Sequence, residues 1–151
     1  MAQKDIGNKT PLHELKTTEQ VMKYYDEWSK NNKYNKDMLE WEYSGPIETS
    51  ETLSKYQNNK DIKIYDAGCG SGLVGIELKK YGFNYFDGAD ISKELLNQVP
   101  DNLYNKLEQI DLNKKIDKED DFYDVVMCVG TFTFANLKAN ALDCLLYTSP
   151  S

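Results

Sequence analysis

Residues 64–75 read IYDAGCGSGLVG, an acid and four glycines at the point where an apolar run gives way to a helical pattern. Backbone N–H groups at such a strand-to-helix loop face whatever binds there, together with the positive end of the helix dipole. Gly68, Gly70 and Gly72 let the main chain turn sharply and approach a ligand without a Cβ in the way. Gly70, Gly72 and Gly75 also spell G-x-G-x-x-G, a spacing shared with dinucleotide-binding loops. Asp66 bears on the choice. A carboxylate at the mouth of the loop would repel a pyrophosphate and suit a ligand carrying an ammonium and a sulfonium. The same side chain could instead only cap loop amides.

Asp90 follows Gly72 by eighteen residues. At the end of a second strand its two oxygens can accept from both hydroxyls of a ribose, in charge-assisted bonds of about 1.5–3 kcal/mol each. That points to a nucleoside ligand without choosing among nucleosides. Ile91 offers an apolar face to an adenine ring, or else packs in the core. His13, the single histidine, lies in a polar leading segment and reads as a bystander. Asp26 and Tyr34 are acid and phenol without a demonstrated partner, so no general base is assigned, and no metal site is readable.

These residues need a scaffold, and hydrophobic spacing supplies one. Val21, Tyr24, Tyr25 and Trp28 recur at three- and four-residue steps after Thr18, the pattern of one helix face. Asn31 and Asn32 break it, and Asp37–Tyr43 forms a second short helix that Gly45-Pro46 stops. Ile47, Leu53 and Tyr56 suggest a third. Lys63–Ala67 reads as a strand into the glycine loop, and Leu73, Ile76 and Leu78 as a helix leaving it, ended by Gly82. Tyr85–Asp90 is a second strand, Lys93–Val99 a helix ended by Pro100, and Lys106–Leu112 a third strand. After an acidic turn at 117–121, YDVVMCVGTF at 123–132 has the continuous apolar character of a strand buried on both faces. Strands alternating with helices in this way predict a doubly wound α/β sheet.

The chain has 151 residues, enough for one core. Its formal charge of −7 sets 25 acids against 18 bases, all of them lysine. With no arginine and no basic stripe, nucleic acid is not expected as a partner. Cys69, Cys128 and Cys144 are an odd set without C-x-x-C, which fits a reducing compartment and a cytoplasmic location. No run approaches the length of a membrane span, so no membrane partner is expected.

D-A-G-C-G-S-G at 66–72 with D-I-S at 90–92 resembles the class I S-adenosylmethionine-dependent methyltransferases. YDEW at 25–28, YNKDMLEWEYSGP at 34–46 and YDVVMCVGTFTF at 123–134 are similar to the methyltransferase-like group named after the Williams–Beuren region, although the gap between the first two is two residues longer than in that pattern. The resemblance implies a Rossmann-like sheet whose strand order reverses beside the first strand, with S-adenosylmethionine across its carboxyl edge. It places Asp66, Gly68, Gly70 and Gly72 at the methionine part, Asp90 at the ribose, Asp111 at the adenine amino group and Leu112 beside the ring. Val129 and Gly130 would line the methyl end, and Tyr25 and Tyr34 would belong to a cap over the cofactor. The implied activity is methyl transfer to a small-molecule acceptor, with a protein acceptor as the alternative. A nicotinamide-dependent oxidoreductase and a noncatalytic cofactor-binding module are the competing readings.

The expected organisation is a flexible arm over 1–16, a helical cap over 17–60, the front of the cofactor-binding domain over 61–142, and a tail over 143–151. CLLYTSPS, at 144–151, resembles a translated sequencing adapter rather than evolved protein. Four strand candidates are fewer than the methyltransferase sheet is expected to have, so the chain is read as the front of a longer enzyme.

Overall fold

A computed structural model of the protein describes residues 11–119, 121–132, 139, 141 and 145. Most of the expected arm, Cys144 and all of the expected tail except Leu145 lie outside the described residues.

The cap is built from three helices. α1 (Thr18–Ser29) starts at a capping box, in which Gln20 N–H donates to Thr17 Oγ1 at 3.2 Å and Thr17 N–H donates to Gln20 Oε1 at 3.1 Å. Two successive left-handed residues, Asn31 (φ 54°) and Asn32 (φ 58°), then reverse the chain into α2 (Lys33–Glu40). Asparagine tolerates this region better than most side chains, which is why the pair breaks the helix where the sequence predicts. Trp28 Nε1–H donates to Asp37 Oδ2 at 2.7 Å and the Lys33 ammonium sits 2.6 Å from the same oxygen, so α2 is pinned back on α1. α3 (Gly45–Tyr56) corrects the expectation that Gly45-Pro46 acts as a stop. Proline lacks only an N–H that has no acceptor in a first turn, and here it opens the helix. α2 also begins earlier and ends earlier than expected.

Beyond the cap, β1 (Lys63–Ala67), α4 (Leu73–Lys80), β2 (Tyr85–Asp90), α5 (Lys93–Leu96), β3 (Leu107–Gln109) and β4 (Val125–Met127) follow in order. The bounds of β1 and β2 match the sequence reading. α5, β3 and β4 are shorter than it predicts; after Leu96 the chain makes tighter turns, with Gln98 N–H donating to Leu95 O at 2.9 Å and Val99 N–H to Leu96 O at 3.2 Å. All pairings are parallel, in the order β3-β2-β1-β4. The order reverses beside β1, as the doubly wound arrangement requires, and such a reversal opens a crevice at the carboxyl edge.

Alternate side chains of β1 feed two cores. Ile64 joins Val74, Leu78, Phe83, Phe86 and Tyr104 on one face, while Tyr65 and Ala67 join Leu112, Ile116, Tyr123 and Leu145 on the other. Both faces of β1 are covered, whereas β4, expected from its apolar run to be buried on both faces, ends the row of described strands, with Val125 and Val126 half-buried and Met127 buried. Tyr65 and Tyr123 stack with centroids 4.8 Å apart, and the Tyr123 hydroxyl donates to Asp87 Oδ2 at 2.8 Å.

Candidate functional site

The loop between β1 and α4 follows directly from its glycines. Gly68, Gly70 and Gly72 have φ of +82°, +54° and +88°, values that residues with a Cβ rarely adopt. The N–H groups of Gly68 and Cys69 both donate to Ala89 O, at 2.8 and 3.0 Å, tying the loop to the end of β2. Gly70 N–H donates to Asp90 Oδ2 at 2.8 Å, and Ser92 N–H donates to Asp90 Oδ1 at 2.9 Å. Both carboxylate oxygens therefore accept from the backbone and keep acceptor capacity to spare. Burial raises the Asp90 carboxyl above its usual range, and these backbone donors oppose the rise.

A cleft opens here, with an empty volume of about 570 Å³, part of it open to solvent. Gly68, Gly70, Asp90, Ile91, Asp111, Leu112, Val129 and Tyr34 line it, eight of the ten residues singled out from the sequence. Tyr25 and Gly130, given to the cap and the methyl end, line it as well. Tyr25 and Tyr34 both pack on Trp28, at centroid distances of 6.0 and 5.0 Å, so packing and lining are the work of the same rings. Burial pushes the Tyr34 phenol well above its ordinary value. Asp111 is engaged locally: Oδ1 accepts from Asn113 N–H at 3.0 Å and Oδ2 lies 3.4 Å from the Thr18 hydroxyl.

Asp66 and Gly72 are placed differently from the expectation. Asp66 is not at the lip of the cleft; it is the fourth residue of β1, 0% exposed, and does not line the cavity. Its Oδ2 accepts from the Tyr104 hydroxyl at 2.7 Å, while Oδ1 has no protein hydrogen-bond partner. Burial raises its carboxyl to about 7, against the opposing hydrogen bond from Tyr104. The physical reason is the strand register: Asp66 stands between Gly88 and Met127 in the centre of the sheet, where both faces are covered. Gly72 faces inward too. A Cβ on it would lie 3.1–3.3 Å from Leu103, Tyr104 and Val99, and one on Gly75 would lie 2.6 Å from the Tyr104 ring and hydroxyl. Gly75 thus makes room for a tyrosine rather than for a ligand, while Gly72 faces the packed side chains of Leu103, Tyr104 and Val99.

The cap is latched to this floor by polar contacts. The Ser92 hydroxyl donates to Asp26 Oδ1 at 2.6 Å, Gln98 Nε2–H donates to Ser29 O at 2.7 Å, and the Ser71 hydroxyl donates to Asn35 Oδ1 at 2.5 Å. Asp26 therefore acts as a latch in this arrangement. His13 is exposed, 4.0 Å from Glu14, away from the cleft.

Residues 64–146 match the family described as "Methyltransferase domain", more than half of the chain. The chain belongs to the methyltransferase domain family. Human Methyltransferase-like protein 27 is 28% identical over 142 residues, covering 91% of this chain and 57% of the relative. The chain thus spans a little over half the length of that relative. Among solved structures, an S-adenosyl-L-methionine-dependent methyltransferase from Methanococcus maripaludis superposes with a TM-score of 0.64 at 20% identity, over 95% of this chain and 62% of its own. The methyltransferase in a complex with the Trm112 activator of Haloferax volcanii superposes with the same score at 18% identity, over 83% and 55%. At those identities the likeness is one of fold, and the fold is the Rossmann-like methyltransferase sheet.

For a methyltransferase domain, the lining includes residues that the motif does not reveal: Val21, Leu95, Ile110, Asn113 and Thr131. Val21 was legible as a helix-face residue, but not as cleft-facing. Thr131 approaches Ala67 O at 3.3 Å and brings the chain after β4 against the end of β1, a contact between residues 64 apart in sequence. Among the described residues the cleft has two acids, Asp90 and Asp111, and no base.

Proposed function

We propose that this chain is the cofactor-binding part of an S-adenosylmethionine-dependent methyltransferase of the cytoplasm, acting on a small-molecule acceptor, with a protein side chain as the alternative. The observation that carries the reading is the charge of the cleft: two carboxylates, no lysine, and a glycine loop bonded to Asp90. A cation with a nucleoside suits that surface, whereas the diphosphate of a nicotinamide cofactor would meet two carboxylates, one of them, Asp111, 4.0 Å from the exposed Lys114 ammonium. The inward-facing Gly72 supports the same choice, since the second glycine of a dinucleotide loop serves close approach to the pyrophosphate.

In this reading Asp90 accepts from the ribose hydroxyls with its spare lone pairs. Ile91 and Leu112 flank the adenine, and Asp111 accepts from its amino group. Gly68, Gly70 and Val129 surround the methionine and methyl end, and Tyr25 and Tyr34 cover it. Asp66 lies buried beneath the loop, where a bound cation favours its ionised form, and Gly72 supplies the turn. The sulfonium supplies an already activated methyl group, so the protein's task is to orient the acceptor and exclude water. The aromatic cap over the cleft suits that task, and no residue need act as an obligatory base.

Calorimetric titration of the chain with S-adenosylhomocysteine and with NADH tests the proposal. The expected result is binding of the first and none of the second. Binding of NADH alone would end the methyltransferase reading.

A further inference from the structure

Tyr104 lies between α5 and β3, outside the motifs that the function absorbs, and is 8% exposed. Its hydroxyl donates to Asp66 Oδ2 at 2.7 Å and accepts from Gly75 N–H at 3.2 Å, in the first turn of α4. A Cβ on Gly75 would lie 2.6 Å from its ring and hydroxyl, and one on Gly88 would lie 2.9 Å from its ring. Two glycines, one on α4 and one on β2, therefore leave space for one phenol, which reaches a carboxylate that has no other protein partner. A buried carboxylate with a single donor is sensitive to that donor.

We propose that Tyr104 is a positioning residue for the cofactor: its hydroxyl couples the first turn of α4 to the Asp66 carboxylate and sets the charge lying beneath the glycine loop when the cofactor cation binds. The inference rests on the proposed cofactor. Gly68, two residues beyond Asp66, lines the cleft, as does Asp90, whose charge acts on Asp66. The other titratable groups around Asp66 are Tyr104 itself, Tyr65 on β1, Cys69 in the loop and Cys128 after β4. Burial pushes these phenols and thiols up, Cys128 to about 11, so they remain neutral near pH 7. Asp90 is the second acid, influenced in turn by Asp26 on α1. Tyr104 bonds to Asp66 and not to Asp90, so a change at Tyr104 separates the two acids. A cation arriving above the loop favours ionised Asp66, and binding near neutral pH should release a proton.

The test uses the whole chain, titrated with S-adenosylmethionine from about pH 5 to about pH 9 in buffers of different ionisation enthalpy. Wild-type affinity is expected to rise with pH through a midpoint near the Asp66 value of about 7, with proton release on binding. Tyr104→Phe keeps the ring and removes the donor, and should move the midpoint up by about one to two pH units. Placing 3-fluorotyrosine at position 104 strengthens the donor and should move it down. If both variants keep the wild-type midpoint and proton release, whatever their melting temperatures, Tyr104 only fills space and the assignment is wrong. Should the phenylalanine variant not fold, the fluorotyrosine protein decides alone. A wild-type chain that binds neither S-adenosylmethionine nor S-adenosylhomocysteine overturns the proposed function and this assignment together. Binding without a shift overturns the assignment alone.

Discussion

Asp66 has a folded-state carboxyl raised to about 7, so its effect on stability runs opposite to that of a salt-bridged acid. Below the unfolded value, near 4, both states hold the proton and nothing is lost. As pH rises toward 7 the unfolded chain ionises this group while the folded chain keeps it protonated, so stability falls across that window. Asp66→Asn should flatten the fall, removing a slope on the order of a few kcal/mol between about pH 4 and about pH 7. Denaturant titrations at the two ends of that window measure it, and an unchanged slope would show that another group is responsible. Asp90 gives a second expectation at this scale. Asn at that position cannot accept from both Gly70 and Ser92 N–H with two equivalent oxygens, and removes the charge on which the proposed ribose contact depends. Asp90→Asn should weaken S-adenosylhomocysteine binding about ten- to a hundredfold, readable by calorimetry.

At the scale of elements, α1 carries Val21 and Tyr25 into the cleft and is held at its start by the Thr17–Gln20 box. Thr17→Ala should cost about 1 kcal/mol of stability by chemical denaturation, and weaken cofactor binding only as far as the cap loosens. The glycine loop gives a sharper contrast. Gly75→Ala places a methyl within 2.6 Å of the Tyr104 ring, and should cost about 1–3 kcal/mol through forced displacement of that ring. A neutral result in denaturant titration would mean that Tyr104 can move away freely. Much at this scale was legible: the Asn31-Asn32 break and the bounds of β1 and β2 all depend on neighbours within a few residues. Gly45-Pro46 was read the wrong way because a proline ends one helix and opens another with the same local chemistry, and only the geometry of α2 and α3 selects between them.

For the molecule as a whole, the cleft is closed by parts distant in sequence: cap helices, the β1–α4 loop, the end of β2 and the chain following β4. A ligand bridging them stabilises all at once. S-adenosylhomocysteine at one hundred times its dissociation constant should add about 2.7 kcal/mol and raise the melting temperature, whereas NADH should leave it unchanged. Thermal unfolding with each ligand distinguishes the outcomes, and protection by NADH alone would contradict the charge argument for the cleft. No helix among the described residues is long and apolar enough to cross a membrane.

The sequence by itself determined the parallel α/β architecture, the glycine loop and the acid at the end of β2, because apolar period, backbone conformation and loop chemistry are written in short windows. Only the tertiary structure decided what Asp66, Gly72 and Gly75 are for. Their spacing matches a ligand loop, yet their environment comes from Tyr104 and the flanking strands, at sequence separations of 29–38 residues for the hydrogen bonds of Tyr104. A carboxylate written beside a glycine loop looks solvent-facing; in the centre of a sheet covered on both sides it is buried, and its charge becomes a property of the fold.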